Sequence, residues 1–362
     1  MPPAVFAVRP AASSHAGQVL LTLKTLRYLP DQVWSQPRQP GDNLTMPLFS
    51  PAASPERERA ALSRRLHKLA RVFTLDTIRR EPLPPQTVVQ YYEDCHDAYR
   101  KYHSAEGAVH MALNDGDRFD PDGFYGQLRR MERDWARPPG AVLELAFGQG
   151  FNLAWLAARH KGCQFSGIDL TPAHLQIASH RVAKAGLANV KLAPGDFHHL
   201  PYADASFDEV FCIEAFCYAT DLPRALAEVA RVLRPGGCFT LFDGYLPRAP
   251  AQLRSDEALA VELVAKGMAI SGLQVLDDLL AAAAEAGLQT VTVAALDAQV
   301  MPSLRKLERV TGAVIRFPWL GRRVLARRSP MRGRNVLAGY LMRSTVAMGL
   351  IGYRHLRLRK EQ

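Results

Sequence analysis

The residues best placed to do chemistry surround a turn at 142–150, VLELAFGQG. Glu144 closes an apolar run, and Gly148 and Gly150 follow it. Glycines at such a place let the backbone pass close to a ligand at a helix N-terminus. Asp169 ends the next apolar run, where an acid in a strand–helix unit can take ribose hydroxyls. Gly195-Asp196 follows a third run, and Leu233-Arg234-Pro235-Gly236-Gly237 precedes a fifth. A dinucleotide site would want a third glycine where Leu153 stands. An acid ahead of the glycines also suits a cationic amino-acid moiety better than a pyrophosphate. The pattern points to a nucleoside cofactor with a charged aminoacyl end.

The elements that must position these residues can be read from periodicity. Strands are expected at 141–146, 163–169, 189–194, 208–213, 238–243, 288–296 and 353–360, with helical patterns between most of them. Thr171-Pro172 suits a helix start and Gly186 its stop; Asp221 can cap a helix bearing Leu222, Leu226, Val229 and Leu233. Strands alternating with helices imply an α/β fold, a Rossmann-like, mostly parallel seven-stranded sheet wound on both faces. The interval between the last two strands is too long for a hairpin, so a helical cap is expected over about 297–352. The catalytic domain is expected over 138–360, and helices with an active-site lid over 56–137. Residues 1–55, rich in Pro, Ala and Ser, read as an irregular or disordered extension. Residues 55–74 carry Leu62, Leu66, Leu69 and Phe73 at helical spacing among basic residues. That amphipathic helix would pack on the main domain or meet a lipid surface.

Together, Glu144, the glycine turn, Asp169, Asp196 and the Leu233–Gly237 stretch resemble the class I S-adenosylmethionine-dependent methyltransferases. The resemblance implies that Glu144, Ala146, Gly148 and Gly150 hold the methionine end. It assigns the ribose to Asp169 and the adenine to Asp196 with Phe197, with Leu170 and Ile213 as further cofactor-binding positions. The family usually has Gly where this chain has Ala146, which implies a tighter turn. Residues 195–219, GDFHHLPYADASFDEVFCIEAFCYA, look most like the sterol 24-C-methyltransferases within that class. Tyr218 replaces a histidine of theirs. Residues 91–112, YYEDCHDAYRKYHSAEGAVHMA, match the start of their catalytic domain at Tyr91, Tyr92, Asp97, Tyr99, Tyr102 and His110, although the family's Y-E-Y-G-W-G element is not intact.

The expected reaction is in-line attack on a sulfonium methyl followed by deprotonation. The acceptor is expected to be small and hydrophobic (a sterol, terpenoid or prenyl compound), with C-methylation favoured. An N- or O-methyltransferase of a small polar or aromatic metabolite is the alternative, and an inactive cofactor-binding protein a second. An acceptor alkene becomes cationic on attack, and aromatic faces stabilise such charge by roughly 2 kcal/mol each when desolvated. Tyr91, Tyr92, Tyr99, Tyr102, Phe216 and Tyr218 are candidates for those faces, Tyr99 and Tyr218 first. Glu214 is the first candidate base and His110 the second. His198 and His199 read as solvated loop residues.

Composition narrows the partners. The net charge is +10, and about 15 Lys and Arg lie between 302 and 360 against a single acid, Glu308. Such a patch suits a membrane surface or an anionic ligand. No nucleic-acid-binding module is recognisable. Five cysteines without a C-x-x-C pair argue against a disulfide framework, and no His/Cys cluster has metal-ligand spacing. The most apolar stretch, 336–351, is too short to span a bilayer and carries Arg343. No signal-peptide pattern is visible, so a cytoplasmic location is expected, peripheral at a membrane surface if the basic region docks there.

Overall fold

Seven apolar runs of 5 to 13 residues pair into one sheet in the order β3-β2-β1-β4-β5-β7-β6. The strands are β1 Ala141–Leu145, β2 Gln164–Asp169, β3 Val190–Pro194, β4 Phe207–Ile213, β5 Leu233–Tyr245, β6 Leu288–Ala295 and β7 Gly352–Lys360. β1 to β5 run parallel; β7 lies antiparallel between β5 and β6. This computed structural model describes residues 55–84 and 86–362. The extension expected over 1–55 lies outside them except for Pro55.

Alternation within the strands builds a core on each face. Val142, Phe211 and Phe242 point into one core, while Leu143, Leu145, Val210, Cys212 and Leu241 point into the other. The second core is closed by helices α7 (Leu222–Val232) and α9 (Leu276–Glu285), through Leu226, Val229, Leu279 and Ala283. Asp221 caps α7 as its sequence suggests, accepting from Arg224 N at 3.1 Å. The first core holds α4 (Gly126–Asp134), α5 (Phe151–Arg159) and α6 (Pro172–Lys184).

The same face carries a helical roof. Its pieces are α1 (Pro55–Ala70), α2 (Leu75–Arg80), α3 (Gln86–Ala98), α8 (Ser255–Gly267), α10 (Asp297–Ile315), α11 (Pro318–Leu325) and α12 (Pro330–Ala347). Helices α10 to α12 form the expected insertion before the last strand. Helix α8, which follows β5, packs against α12 and joins the roof, which sequence spacing did not suggest. Leu62, Leu66 and Leu69 of α1 are buried in this core. Burying a leucine is worth roughly 1.5–3 kcal/mol, so packing decides where α1 sits.

One strand departs from expectation. The Pro235-Gly236-Gly237 segment is not a turn ahead of β5 but a bulge inside it. The ladder to β4 steps from Phe207↔Leu233 to Glu209↔Cys238, and Gly236 takes φ +77°. All five cysteines are buried and unpaired. Among the described residues, no helix is long and apolar enough to cross a membrane.

Candidate functional site

The parallel strands end at one edge of the sheet, and two adjoining cavities open there. The first, a cleft of about 1130 Å³, is walled by the segments that follow β1 to β4: Ala146 and Gly148, Asp169 to Thr171, Gly195 to His198, and Ile213 to Ala215. The turn after β1 is left-handed at alternate residues, with φ +55° at Ala146, +55° at Gly148 and +70° at Gly150. Only glycine adopts this geometry without cost, so Ala146 holds a strained place where the resembled family has Gly.

Asp169 fixes that turn. Its Oδ2 accepts from Gly148 N at 2.7 Å and its Oδ1 from Thr171 N at 2.8 Å. Its neighbour Leu170 is exposed on the cleft wall. Asp196 Oδ1 accepts from His198 N at 2.9 Å and pairs with His198 Nδ1 at 2.6 Å. Burial pushes the Asp196 carboxyl up, but the bonds from His198 outweigh it and hold the carboxyl below its ordinary value. His198 is therefore built into the cleft rather than solvated in a loop. Phe197 and Ile213 complete the wall.

Two expected ligand residues sit behind it. Glu144 is buried beneath the turn: Oε1 accepts from Asn152 Nδ2 at 2.7 Å, and Oε2 has no hydrogen-bond partner. Burial pushes its pKa well up, with the Asn152 bond acting the other way. A buried, unmatched carboxylate is costly unless a cation reaches it. Gly150 packs helices instead of touching the cleft; a Cβ there would meet Ala178 Cβ at 2.8 Å.

The second cavity, about 910 Å³, lies between the sheet edge and the roof. Val264 and Met268 wall it from α8 and the residue after it, Val300, Leu304 and Leu307 from α10, and Asn335, Gly339 and Met342 from α12. Tyr92, Tyr99 and Tyr218 add aromatic faces. Tyr99 Oη pairs with Tyr91 Oη at 2.8 Å, and Tyr218 Oη donates to Met268 O at 2.8 Å, so the rings are anchored by their hydroxyls. No Lys, Arg or His is among its described lining residues.

Tyr92, Val109, Glu214 and Tyr218 line both cavities. Glu214 follows β4 at φ +52°. Its Oε1 accepts from Met111 N and from Tyr353 Oη, each at 2.7 Å. Gln127 of α4, fully buried, donates to Met111 O at 2.7 Å and to the Tyr353 hydroxyl at 3.1 Å, locking both donors. Burial raises the Glu214 pKa from 4.5 to about 8 against these bonds. Asp243 of β5 lines the second cavity too, raised by burial to about 6.

His110 does not join this group. Its Nε2 lies 3.1 Å from Asn152 Oδ1 and its Nδ1 3.2 Å from Met111 O, and it lines neither cavity. Burial lowers its pKa, and its Nε2 contact positions Asn152, the donor to Glu144. The structure thus joins Glu214, Tyr99 and Tyr218 around one space and sets His110 aside.

Residues 143–241 match the family model described as a methyltransferase domain. Over this segment the chain is similar to the class I S-adenosylmethionine-dependent methyltransferases. Its relatives include 24-methylenesterol C-methyltransferase 2 of Oryza sativa subsp. japonica, 30% identical over 170 residues, which is 47% of this chain and 46% of that protein. Methyltransferase GfsG of Streptomyces halstedii is 40% identical over 103 residues, 28% of this chain and 37% of that one. The matched stretch therefore spans less than half the length of these curated relatives. Among solved structures, the [4+2]-cyclase SpnF superposes with a TM-score of 0.61 at 19% identity, covering 77% of this chain and 98% of that one. The geranyl diphosphate C-methyltransferase of Streptomyces coelicolor A3(2) superposes at 0.55 with 15% identity, over 78% and 98%. These likenesses establish the fold of the chain. The methyltransferase cofactor is S-adenosylmethionine, and the cleft offers a glycine-bearing turn and two acids, Asp169 and Asp196, on its wall, with Glu144 buried behind the turn.

Proposed function

We propose that this chain methylates a carbon atom of a neutral, lipophilic acceptor of the sterol, terpenoid or prenyl kind. The observation that carries the reading is Glu214, a proton acceptor standing where the cofactor cleft meets an apolar cavity. In the cleft, the backbone of Ala146 and Gly148 would hold the aminoacyl end, with the Glu144 carboxyl beneath them, Asp169 the ribose, and Asp196 with Phe197 the adenine. S-adenosylmethionine, when bound, supplies an electrophilic methyl group on a positively charged sulfur. The protein's remaining tasks are alignment, exclusion of water and proton removal.

The roof residues Val300, Leu304 and Met342 give an apolar acceptor its place. An acceptor alkene that takes a methyl cation keeps one positive charge. Tyr92, Tyr99 and Tyr218 face that space, and loss of a proton to Glu214 restores a neutral alkene. Oε1 is occupied by Met111 N and Tyr353 Oη, so Oε2 is the atom free to receive it. A structural neighbour is named for geranyl diphosphate, but a diphosphate needs cations and none lines this cavity. That favours an uncharged acceptor. It also disfavours N- or O-methylation of a small polar metabolite, for which the cavity has few polar partners.

A labelled-methyl assay over sterols, free prenols, prenyl diphosphates, amines and phenols tests the reading. Turnover of an uncharged alkene is expected. Turnover confined to amines, phenols or diphosphates would refute it, and absence of heat on titration with either S-adenosylmethionine or S-adenosylhomocysteine would remove the enzyme altogether.

A further inference from the structure

The basic residues between 302 and 360 do not form one positive face. Glu308 takes both Arg65 and Arg343, and Arg334 pairs with Glu81. Arg354 pairs with Asp297 at 2.7 Å, Arg357 with Glu209 at 3.3 Å, and Arg305 and Arg332 with Asp117 and Asp97, each at 3.5 Å. Arg309 and Arg359 are exposed singly, and the other exposed arginines of this segment gather at one corner, the α11 helix and its flanks. Arg316, Arg322, Arg323, Arg327 and Arg328 are all exposed there, and no acid occurs between Arg309 and Lys360.

The same corner carries Phe317, Trp319, Leu320 and Val324, exposed by 52%, 71%, 42% and 42%. Four of the seven most exposed large apolar side chains among the described residues thus fall within eight positions. Singly scattered apolar residues mean little, but a cluster marks a binding surface. Helix geometry explains the clustering. Gly321 sits so close to α10 that a Cβ would meet Val314 O at 2.5 Å. That pins one side of α11 inward. Trp319 and Arg323, four apart, project together from the opposite side, and Leu320 and Val324, also four apart, lie along the flank.

We propose that α11 and its flanks, from Arg316 to Arg328, dock the protein on an anionic lipid surface. A face that interleaves tryptophan, leucine and valine with arginine, and holds no acid, matches a bilayer interface. There, apolar side chains enter the acyl boundary and guanidinium groups meet lipid phosphates. Position agrees with chemistry: α11 joins α10 and α12, the two helices that carry Leu304, Leu307, Gly339 and Met342 on the apolar cavity. Docking stands on the surface itself and does not depend on the identity of the acceptor.

Flotation of the full chain with vesicles tests it, using phosphatidylcholine alone or mixed with phosphatidylglycerol. The wild type is expected to float with the mixed vesicles and to stay behind with the neutral ones. Each arginine changed to Gln among Arg322, Arg323, Arg327 and Arg328 should weaken binding about five-fold. The double variant Phe317→Ser, Trp319→Ser should abolish flotation while leaving S-adenosylmethionine binding and circular dichroism unchanged. Tryptophan emission should shift to the blue on adding mixed vesicles, and the shift should vanish in Trp319→Phe. Failure of the wild type to float, flotation of the serine variant at the wild-type level, or self-association through this face without vesicle binding would each overturn the proposal.

Discussion

Replacing Glu214 with Gln preserves the side chain's shape and an oxygen able to accept from Met111 N and Tyr353 Oη, while removing the ionisable group. Burial is the main reason that the carboxyl's pKa rises from 4.5 to about 8. With the folded value above the unfolded one, the protonated carboxyl favours the fold. That contribution is whole below about pH 4.5 and is lost as pH climbs through about 8. Full ionisation costs at most about 5 kcal/mol, and roughly half that once water in the cavities screens the charge. Glu214→Gln should therefore match the wild type in urea titrations below about pH 4.5. Near pH 9 it should exceed the wild type by roughly 2–5 kcal/mol. The same variant should bind S-adenosylmethionine within a few-fold of wild type and yield no product. Wild-type turnover should rise with pH as the carboxylate forms, with a midpoint drawn below 8 by the cofactor's positive charge. Parallel stability curves for the two proteins would show that this carboxyl is not held away from water. Undiminished turnover would remove it as the base.

Tyr353→Phe deletes one of the two bonds that hold the Glu214 pKa down, so the rising limb of the pH–rate profile should move to higher pH and kcat near neutrality should fall about ten-fold. An unmoved profile would deny Tyr353 its positioning role. Ala146→Gly should stabilise the fold by about 0.5–1 kcal/mol in urea unfolding, the left-handed penalty less glycine's extra freedom in the unfolded chain; a loss of stability would contradict the strained turn. Asp169→Ala leaves Gly148 N and Thr171 N without their acceptor, and calorimetry should find S-adenosylmethionine affinity lower on the order of 100-fold. An affinity within two-fold of wild type would refute that assignment.

The cofactor half of the site was legible because its parts are local. Asp169, Asp196 and Glu214 each follow directly on an apolar run, and a parallel sheet brings such positions to one edge. Glu144 was expected on the cleft wall but lies under it, since a strand's last inward residue is covered by the turn that follows. The acceptor half was less legible. Tyr353 opens a strand whose alternating YRHLRLRK pattern reads as structural, and Asp243 is hidden inside β5. Gln127, Asn335 and α8 reach the site only through tertiary packing, which periodicity does not report. His110 lies in the segment resembling sterol methyltransferases, yet its partners Asn152 and Met111 O turn it away from the space that it was expected to face. His198 looked solvated because its bond to Asp196 depends on the loop's fold.

The pairing of β6 with β7 has a consequence for how such a protein diversifies. Ala295 and Arg354 are direct partners across that ladder, so the whole of α10 to α12 departs from and returns to neighbouring points on the sheet. The insertion is thus a contiguous unit that leaves and re-enters the sheet at one point, and it is tied there by Asp297, which accepts from Tyr353 N at 2.8 Å. Acceptor preference can then drift quickly while the grip stays put. That agrees with a family match that stops at residue 241, well before the insertion begins. Chimaeras joined at these two positions are the natural way to move one acceptor preference onto another cofactor-binding base.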